Sequence, residues 1–118
     1  MHIVNMNDVP KTPREAEIFT GMVTVQTLTP ESGDYDMAVV SFGKGVRNKL
    51  HTHESDQILI ITAGKGIVAT ENEQREVTVG DVVVLSAGEK HWHGATEDSD
   101  FSHIYITRTG QETKMVDE

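Results

Sequence analysis

Residues 45–64 read GVRNKLHTHESDQILIITAG, and this stretch decides the fold. Successive side chains of a β-strand alternate between the two faces of its sheet. His51, His53 and Gln57 all have odd numbers, so the pattern predicts two imidazoles and one amide oxygen on the same face. Glycines 45 and 64 bound the stretch. The spacing therefore predicts a cluster of metal-binding side chains on one face of a sheet.

A second stretch with similar chemistry, GDVVVLSAGEKHWHGA, occupies residues 80–95. In it His91 and His93 follow an apolar run and a glycine turn, and their shared parity predicts that both face one cavity. Nitrogen and oxygen donors from the two stretches form the kind of set that binds first-row transition metals. We therefore predict one divalent transition-metal ion per chain.

Both stretches resemble the sequence motifs of the cupins. The first cupin motif reads Gly, five residues, His-x-His, three or four residues, Glu, six residues, Gly; only Gln57 departs from it. The second reads Gly, five residues, Pro-x-Gly, two residues, His, three residues, Asn; here Ser86 and Ala95 replace the Pro and the Asn. The run GEKHWHGA at 88–95, with FSH at 101–103, resembles small cupins associated with carboxymuconolactone decarboxylase-like proteins. That group includes manganese-dependent bacterial hydroxynitrile lyases.

The resemblance implies an all-β cupin fold, a double-stranded β-helix or jelly-roll barrel. We expect an N-terminal arm over residues 1–20, the barrel over 21–110 and a polar tail over 111–118. The implied metal ligands are His51, His53, Gln57 and His91. Manganese is the metal that the resemblance favours, while the donor set also suits Fe, Ni, Zn, Co or Cu.

Period-two patterns independently predict an all-β chain of about eight to ten short strands, typical of a sandwich or barrel. Tyr35–Phe42 is a clear example, with apolar residues on its even face. The continuous apolar run Val82–Leu85 predicts a strand buried on both faces. A short helix is predicted over Arg14–Phe19.

Two further histidines are candidates for proton transfer. His93 and His103 share the parity of residues expected to face the cavity, and an imidazole suits general acid/base work near neutral pH. Alternatively, both only orient metal ligands through hydrogen bonds. The predicted substrate pocket consists of Ala38, Val40, Phe42 and Tyr105.

Lyase chemistry of the hydroxynitrile type on a small hydroxy or carbonyl compound is the function that the resemblance implies. Two alternatives stay open: a metal-dependent dioxygenase, and a non-catalytic cupin that binds a small ligand.

Composition restricts the partners. The net charge of −9 disfavours nucleic acid and anionic membranes. Cysteine is absent from the sequence, so no thiolate ligand or disulfide is expected. No signal-peptide pattern begins the chain, and a cytoplasmic protein is expected. Its predicted partners are a small-molecule substrate and, by analogy with cupins of this size, a second copy in a homodimer.

Overall fold

Ten β-strands form almost all of the regular structure in the computed structural model, which describes residues 1–116. The strands are β1 (Thr12–Arg14), β2 (Val23–Thr27), β3 (Tyr35–Phe42), β4 (His51–His53), β5 (Gln57–Thr70), β6 (Gln74–Thr78), β7 (Val82–Leu85), β8 (His91–Ala95), β9 (Phe101–Arg108) and β10 (Thr113–Met115). A short 3-10 helix lies at Met6–Asp8. Within residues 1–116, no helix has the length and apolar character needed to cross a membrane. The all-β prediction is confirmed.

The long strand β5 connects the two halves of the sheet. Its first half pairs with β7 and β9, and its second half pairs with β6 and β8. The register shifts between Ile61 and Ala63, and a Cβ at Gly66 would collide with the ring of Phe101. Only glycine permits this close approach, so β5 can pass over the aromatic core as it crosses between the halves. The strand order is β1-β2-β3-β9-β5-β8-β4-β10.

The inner faces of the two halves enclose the core. Phe42, Leu59, Ile61 and Phe101 are almost fully buried there, and the rings of Phe42 and Phe101 stack with centroids 5.9 Å apart. The histidine-bearing strands β4 and β8 close the other side of this interior. Apolar packing and the predicted metal-binding side chains therefore share one enclosed space.

On the outside, the first half of the sheet presents what we call the aliphatic face. Two cross-strand rows form it: Val84, Ile58, Ile106 and Met37, and Val82, Ile60, Ile104 and Val39, of which Val39 is buried. The expectation that Val82–Leu85 is buried on both faces is wrong, because Val82 and Val84 are 61% and 62% exposed. Among the described strands β7 pairs only with β5, and its inward residues alone reach the core.

Near the N-terminus, the predicted helix over Arg14–Phe19 is also wrong. Arg14 ends strand β1, and Phe19 forms an isolated bridge with Asn48. The amide of Lys49 donates to the carbonyl of Ile18 at 2.7 Å. A helix this short is marginal alone, so backbone pairing with residues 47–49 prevails.

The region predicted as a polar tail contains a strand. Strand β10 pairs antiparallel with β4, which places Thr113 opposite His53. Residues 117 and 118 of the predicted tail lie outside the described residues. The C-terminal segment is thus hydrogen-bonded directly to strand β4, which carries His51 and His53.

Candidate metal centre and its cavity

Three neighbouring strands bring most of the predicted site residues together. His51 and His53 lie on β4, Gln57 begins β5, and His91 and His93 lie on β8. His51 and His91 are direct cross-strand partners, with ring centroids 4.3 Å apart. The prediction that the two histidine stretches meet in space is confirmed.

Hydrogen bonds fix the orientation of two of these rings. Nδ1 of His51 donates to the carbonyl of Lys49 at 2.6 Å, and Nδ1 of His91 donates to the carbonyl of Glu89 at 2.9 Å. A carbonyl oxygen only accepts hydrogen bonds, so each Nδ1 must hold the proton. In each ring, Nε2 is left with a free lone pair that can bind a metal.

Three imidazoles form a compact group that could hold a metal ion. Ring nitrogens of His51, His91 and His93 lie within 4.8 Å of one another, and all three residues are buried. His53 adjoins this group, with its ring centroid 4.9 Å from that of His51. The predicted ligands His51 and His91 are thus members of the group. His93, predicted as an acid/base residue, lies within reach of the same ion.

Two further observations fit a cation at this position. Nε2 of His53 is buried and has no hydrogen-bond partner among residues 1–116. Oε1 of Gln57 lies 3.3 Å from Nε2 of His91, where two acceptor lone pairs face each other. A divalent ion would satisfy all these groups. The side chains present therefore fit a divalent metal ion.

Burial keeps the histidines neutral. It lowers the pKa of His51 to about 3, with the nearby His91 adding to the effect, and the pKa of His53 to about 4. Desolvation likewise lowers the pKa of His91. A neutral imidazole is the form that binds a metal, so the fold keeps these three side chains ready for metal binding at neutral pH.

His93 and His103 form a buried pair that also lines the cavity. Nε2 of His103 lies 3.2 Å from Nδ1 of His93, which is close enough for a proton to pass between the rings. Burial lowers the pKa of His103 to about 4, and burial, with the neighbouring His103 adding to the effect, lowers the pKa of His93 well below 6.5. Both rings are therefore neutral and able to accept a proton.

Asn48 holds His93 in place, a role that no sequence motif indicates. Its Oδ1 accepts the backbone N–H of His93 at 2.7 Å. Its Nδ2 lies 3.3 Å from Nε2 and 3.5 Å from Nδ1 of the same ring. These near-equal distances place the amide against the ring, away from the lone-pair direction of either nitrogen. Nε2 of His93 therefore keeps a lone pair that can bind a metal or accept a proton.

A cavity of about 320 Å³ opens from the histidines, within the usual range for small-molecule sites. Its lining includes the polar residues His51, His53, Gln57, His93 and His103 and the apolar residues Phe19, Val25, Val40 and Phe42. Of the predicted pocket residues, Val40, Phe42 and Tyr105 line it. Ala38 is buried in the core and is not among the lining residues.

Other lining residues come from segments whose role the sequence did not suggest. Phe19 packs edge-on against Phe42, with ring centroids 6.2 Å apart. Gln111 and Thr113 reach the cavity from the C-terminal segment. Lone polar residues in a polar tail gave no periodic signal, and the period-two pattern after Arg108 was too short to indicate a strand.

Comparisons with known proteins agree with this architecture. The family model described as cupin domain matches residues 38–107. An (R)-mandelonitrile lyase from Granulicella tundricola is 42% identical over 94 residues, which cover 77% of this chain and 72% of that protein. A cupin-like protein from Thermotoga maritima superposes with a TM-score of 0.83 at 31% identity, covering 89% of this chain and 84% of that chain.

More distant relatives share the fold alone. The polyketide cyclase RemF from Streptomyces resistomycificus superposes with a TM-score of 0.88 at 15% identity, over all of this chain and 87% of that one. The family match, the closely similar relatives and the two-motif site agree. The predicted cupin fold is confirmed, and this chain belongs to the cupin domain family as a small cupin.

Proposed function

We propose that this protein is a metal-dependent lyase that cleaves a small hydroxynitrile into a carbonyl compound and hydrogen cyanide. The observation behind this proposal is a buried histidine cluster, two of whose members, His51 and His93, line a largely apolar cavity of about 320 Å³. The 42% identity to an (R)-mandelonitrile lyase supports the reaction class.

The side chains that would hold the metal are His51, His53, Gln57 and His91, with Nε2 of His93 close by. When bound, a divalent ion supplies Lewis acidity that makes a substrate hydroxyl more acidic. Gln57 contributes an uncharged amide oxygen in place of a carboxylate. The ligand set is then neutral overall, which favours an anionic oxygen in the cavity more than a set with a carboxylate would. Manganese is the element we propose.

Proton transfer falls to His93 and His103. A neutral imidazole accepts the proton of the substrate hydroxyl, the bond between the carbinol carbon and the nitrile carbon breaks, and its electron pair leaves with cyanide. The same proton then returns to cyanide as hydrogen cyanide, so atoms and charge balance. The 3.2 Å contact between the two rings allows the proton to be shared while the carbonyl product forms.

The cavity walls favour a small aromatic or aliphatic group beside the reacting carbon. Phe19, Phe42, Val25 and Val40 surround that space and offer apolar and aromatic contacts. A mandelonitrile-sized molecule fits this chemical description. The substrate class is therefore a small hydroxynitrile with an apolar substituent.

Cleavage of mandelonitrile by protein reconstituted with Mn²⁺, followed as benzaldehyde formation, tests this function. Both enantiomers should be assayed against the same concentration of free Mn²⁺. We expect turnover that disappears in His51→Ala and persists in His2→Ala, an exposed histidine outside the site. A rate no higher than that of free Mn²⁺ would contradict the proposal.

Oxygen uptake by iron-loaded protein, measured in parallel with aromatic substrates, distinguishes the dioxygenase alternative. A protein that binds metal and ligand but gives neither benzaldehyde nor oxygen consumption would instead favour the non-catalytic alternative.

A further inference from the structure

The C-terminal strand β10 contacts the candidate metal centre at one point. Oγ1 of Thr113 lies 2.8 Å from Nδ1 of His53, on the side of the ring away from Nε2. Thr113 and His53 are also cross-strand partners in the β4–β10 ladder. The ring of His53 is therefore oriented by a residue sixty positions further along the chain.

His53 differs in this respect from its two neighbours. Backbone carbonyls hold Nδ1 of His51 and of His91, and these bonds allow only one tautomer. A threonine hydroxyl can either accept or donate a hydrogen bond. Thr113 is thus compatible with both tautomers of His53, and only the tautomer protonated on Nδ1 leaves Nε2 free for a metal.

A second side chain holds the Thr113 hydroxyl in position. Nε2 of Gln111 donates to Oγ1 of Thr113 at 3.0 Å, and Oε1 of Gln111 accepts the backbone N–H of Glu54 at 3.1 Å. Gln111 therefore uses one lone pair of the hydroxyl. The other lone pair and the hydroxyl proton remain available to His53.

From these contacts we propose that Thr113 is a positioning residue that sets the tautomer of His53 and thereby makes strand β10 a part of the metal centre. In the metal-free protein the hydroxyl donates to Nδ1, and His53 carries its own proton on Nε2. Metal binding requires the reverse arrangement, in which Nδ1–H donates to Thr113. The inference rests on the proposed metal site, and it adds a residue and a segment that the cupin motifs do not include.

Affinity for Zn²⁺ and for Mn²⁺, each measured by competition with a chelator, tests this role without any assay of turnover. Thr113→Val keeps the shape of the side chain and removes the hydroxyl. Partners of metal-binding histidines typically contribute about 10- to 100-fold to metal affinity, and we expect a loss in that range. Thr113→Ser should restore most of the affinity, and Thr52→Val on the same strand as His53 should leave it unchanged.

Nitrogen-15 NMR of the imidazoles gives an independent readout of the tautomer. With Zn²⁺, which is diamagnetic, His53 should carry its proton on Nδ1; without metal, it should carry it on Nε2. Thermal unfolding of the metal-free variants shows whether they fold. If Thr113→Val does not fold, Gln111→Met provides the second variant, because it removes the group that holds the hydroxyl.

The outcomes separate this inference from the proposed function. Failure of the unsubstituted protein to bind either ion would remove both. Normal binding by that protein together with unchanged affinity in Thr113→Val would overturn the role of Thr113 alone. Equal losses in the Val and Ser variants would reduce Thr113 to a purely structural residue and would also overturn it.

Discussion

Oε1 of Gln57 lies 3.3 Å from Nε2 of His91, and both atoms present lone pairs because Nδ1 of His91 is bound to a carbonyl. Two acceptors at this distance repel each other unless a cation lies between them or the amide rotates. An uncharged side chain at position 57 keeps that repulsion small. The charge of the side chain at position 57 should therefore influence the affinity of the site for a metal ion.

Gln57→Glu should tighten divalent metal binding and slow lyase turnover. A carboxylate adds a negative charge to the ligand set, and ligand charge raises the affinity for a divalent cation. The same charge weakens the Lewis acidity of the bound ion. We expect an affinity gain on the order of tenfold, measured by chelator competition. Gln74→Glu adds the same charge at an exposed site and should change neither quantity; weaker binding in Gln57→Glu would contradict the argument.

His103→Gln should lower kcat with little change in metal content. General acid/base groups contribute about 10²- to 10⁴-fold to rate, and His103 reaches the rest of the site through the ring of His93. Steady-state kinetics with mandelonitrile, together with elemental analysis of the same sample, measures both quantities. An unchanged kcat would assign His103 to ring orientation alone.

The metal-free protein should lose stability as pH falls below about 6.5. Burial lowers the pKa of His103 to about 4, so between these values the unfolded chain binds the proton and the folded chain does not. The contribution of His103 to the free energy of unfolding is therefore fully present above about pH 6.5 and is lost as the pH falls toward 4. Protonation of His103 in the unfolded chain should by itself lower the free energy of unfolding by on the order of 2 kcal/mol at pH 5 compared with pH 7. Urea unfolding with chelator at pH 7 and pH 5 measures this, and equal unfolding free energies would refute it.

The homodimer expected from the sequence remains a prediction, and the aliphatic face offers the surface for it. Its two rows carry no charge, so two copies of a chain with net charge −9 can meet there without repulsion between charged side chains. Val82 and Val84 are more than half exposed. Val82→Lys with Val84→Lys should convert a dimer into a monomer by light scattering. Two new lysines at Asn72 and Gln74, on the exposed β5–β6 hairpin, should not. A monomeric unsubstituted protein would contradict the prediction.

Much of the site could be predicted from the sequence because its residues follow strand periodicity. His51, His53, His91, His93 and His103 all sit on strands where alternate side chains face inward, so parity alone placed them on one side. The same rule failed for Val82 and Val84, because an apolar run does not indicate whether another element packs against its second face.

Residues that act through long-range pairing could not be predicted in this way. Phe19 enters the cavity because residues 18–20 pair with 47–49, and Thr113 reaches His53 because β10 pairs with β4. Neither segment has a hydrophobic period that would indicate a strand. Their positions depend on hydrogen bonds between distant parts of the chain, which local patterns do not encode.

The pairing of β4 with both β8 and β10 also has a kinetic consequence. His51 meets His91, and His53 meets Thr113, only after loops of about forty and sixty residues have closed. Contacts this distant in sequence slow folding because a long loop must close before they form, so we expect the centre to assemble late. A metal ion should therefore slow unfolding without accelerating folding, because it binds an arrangement that the transition state does not yet contain.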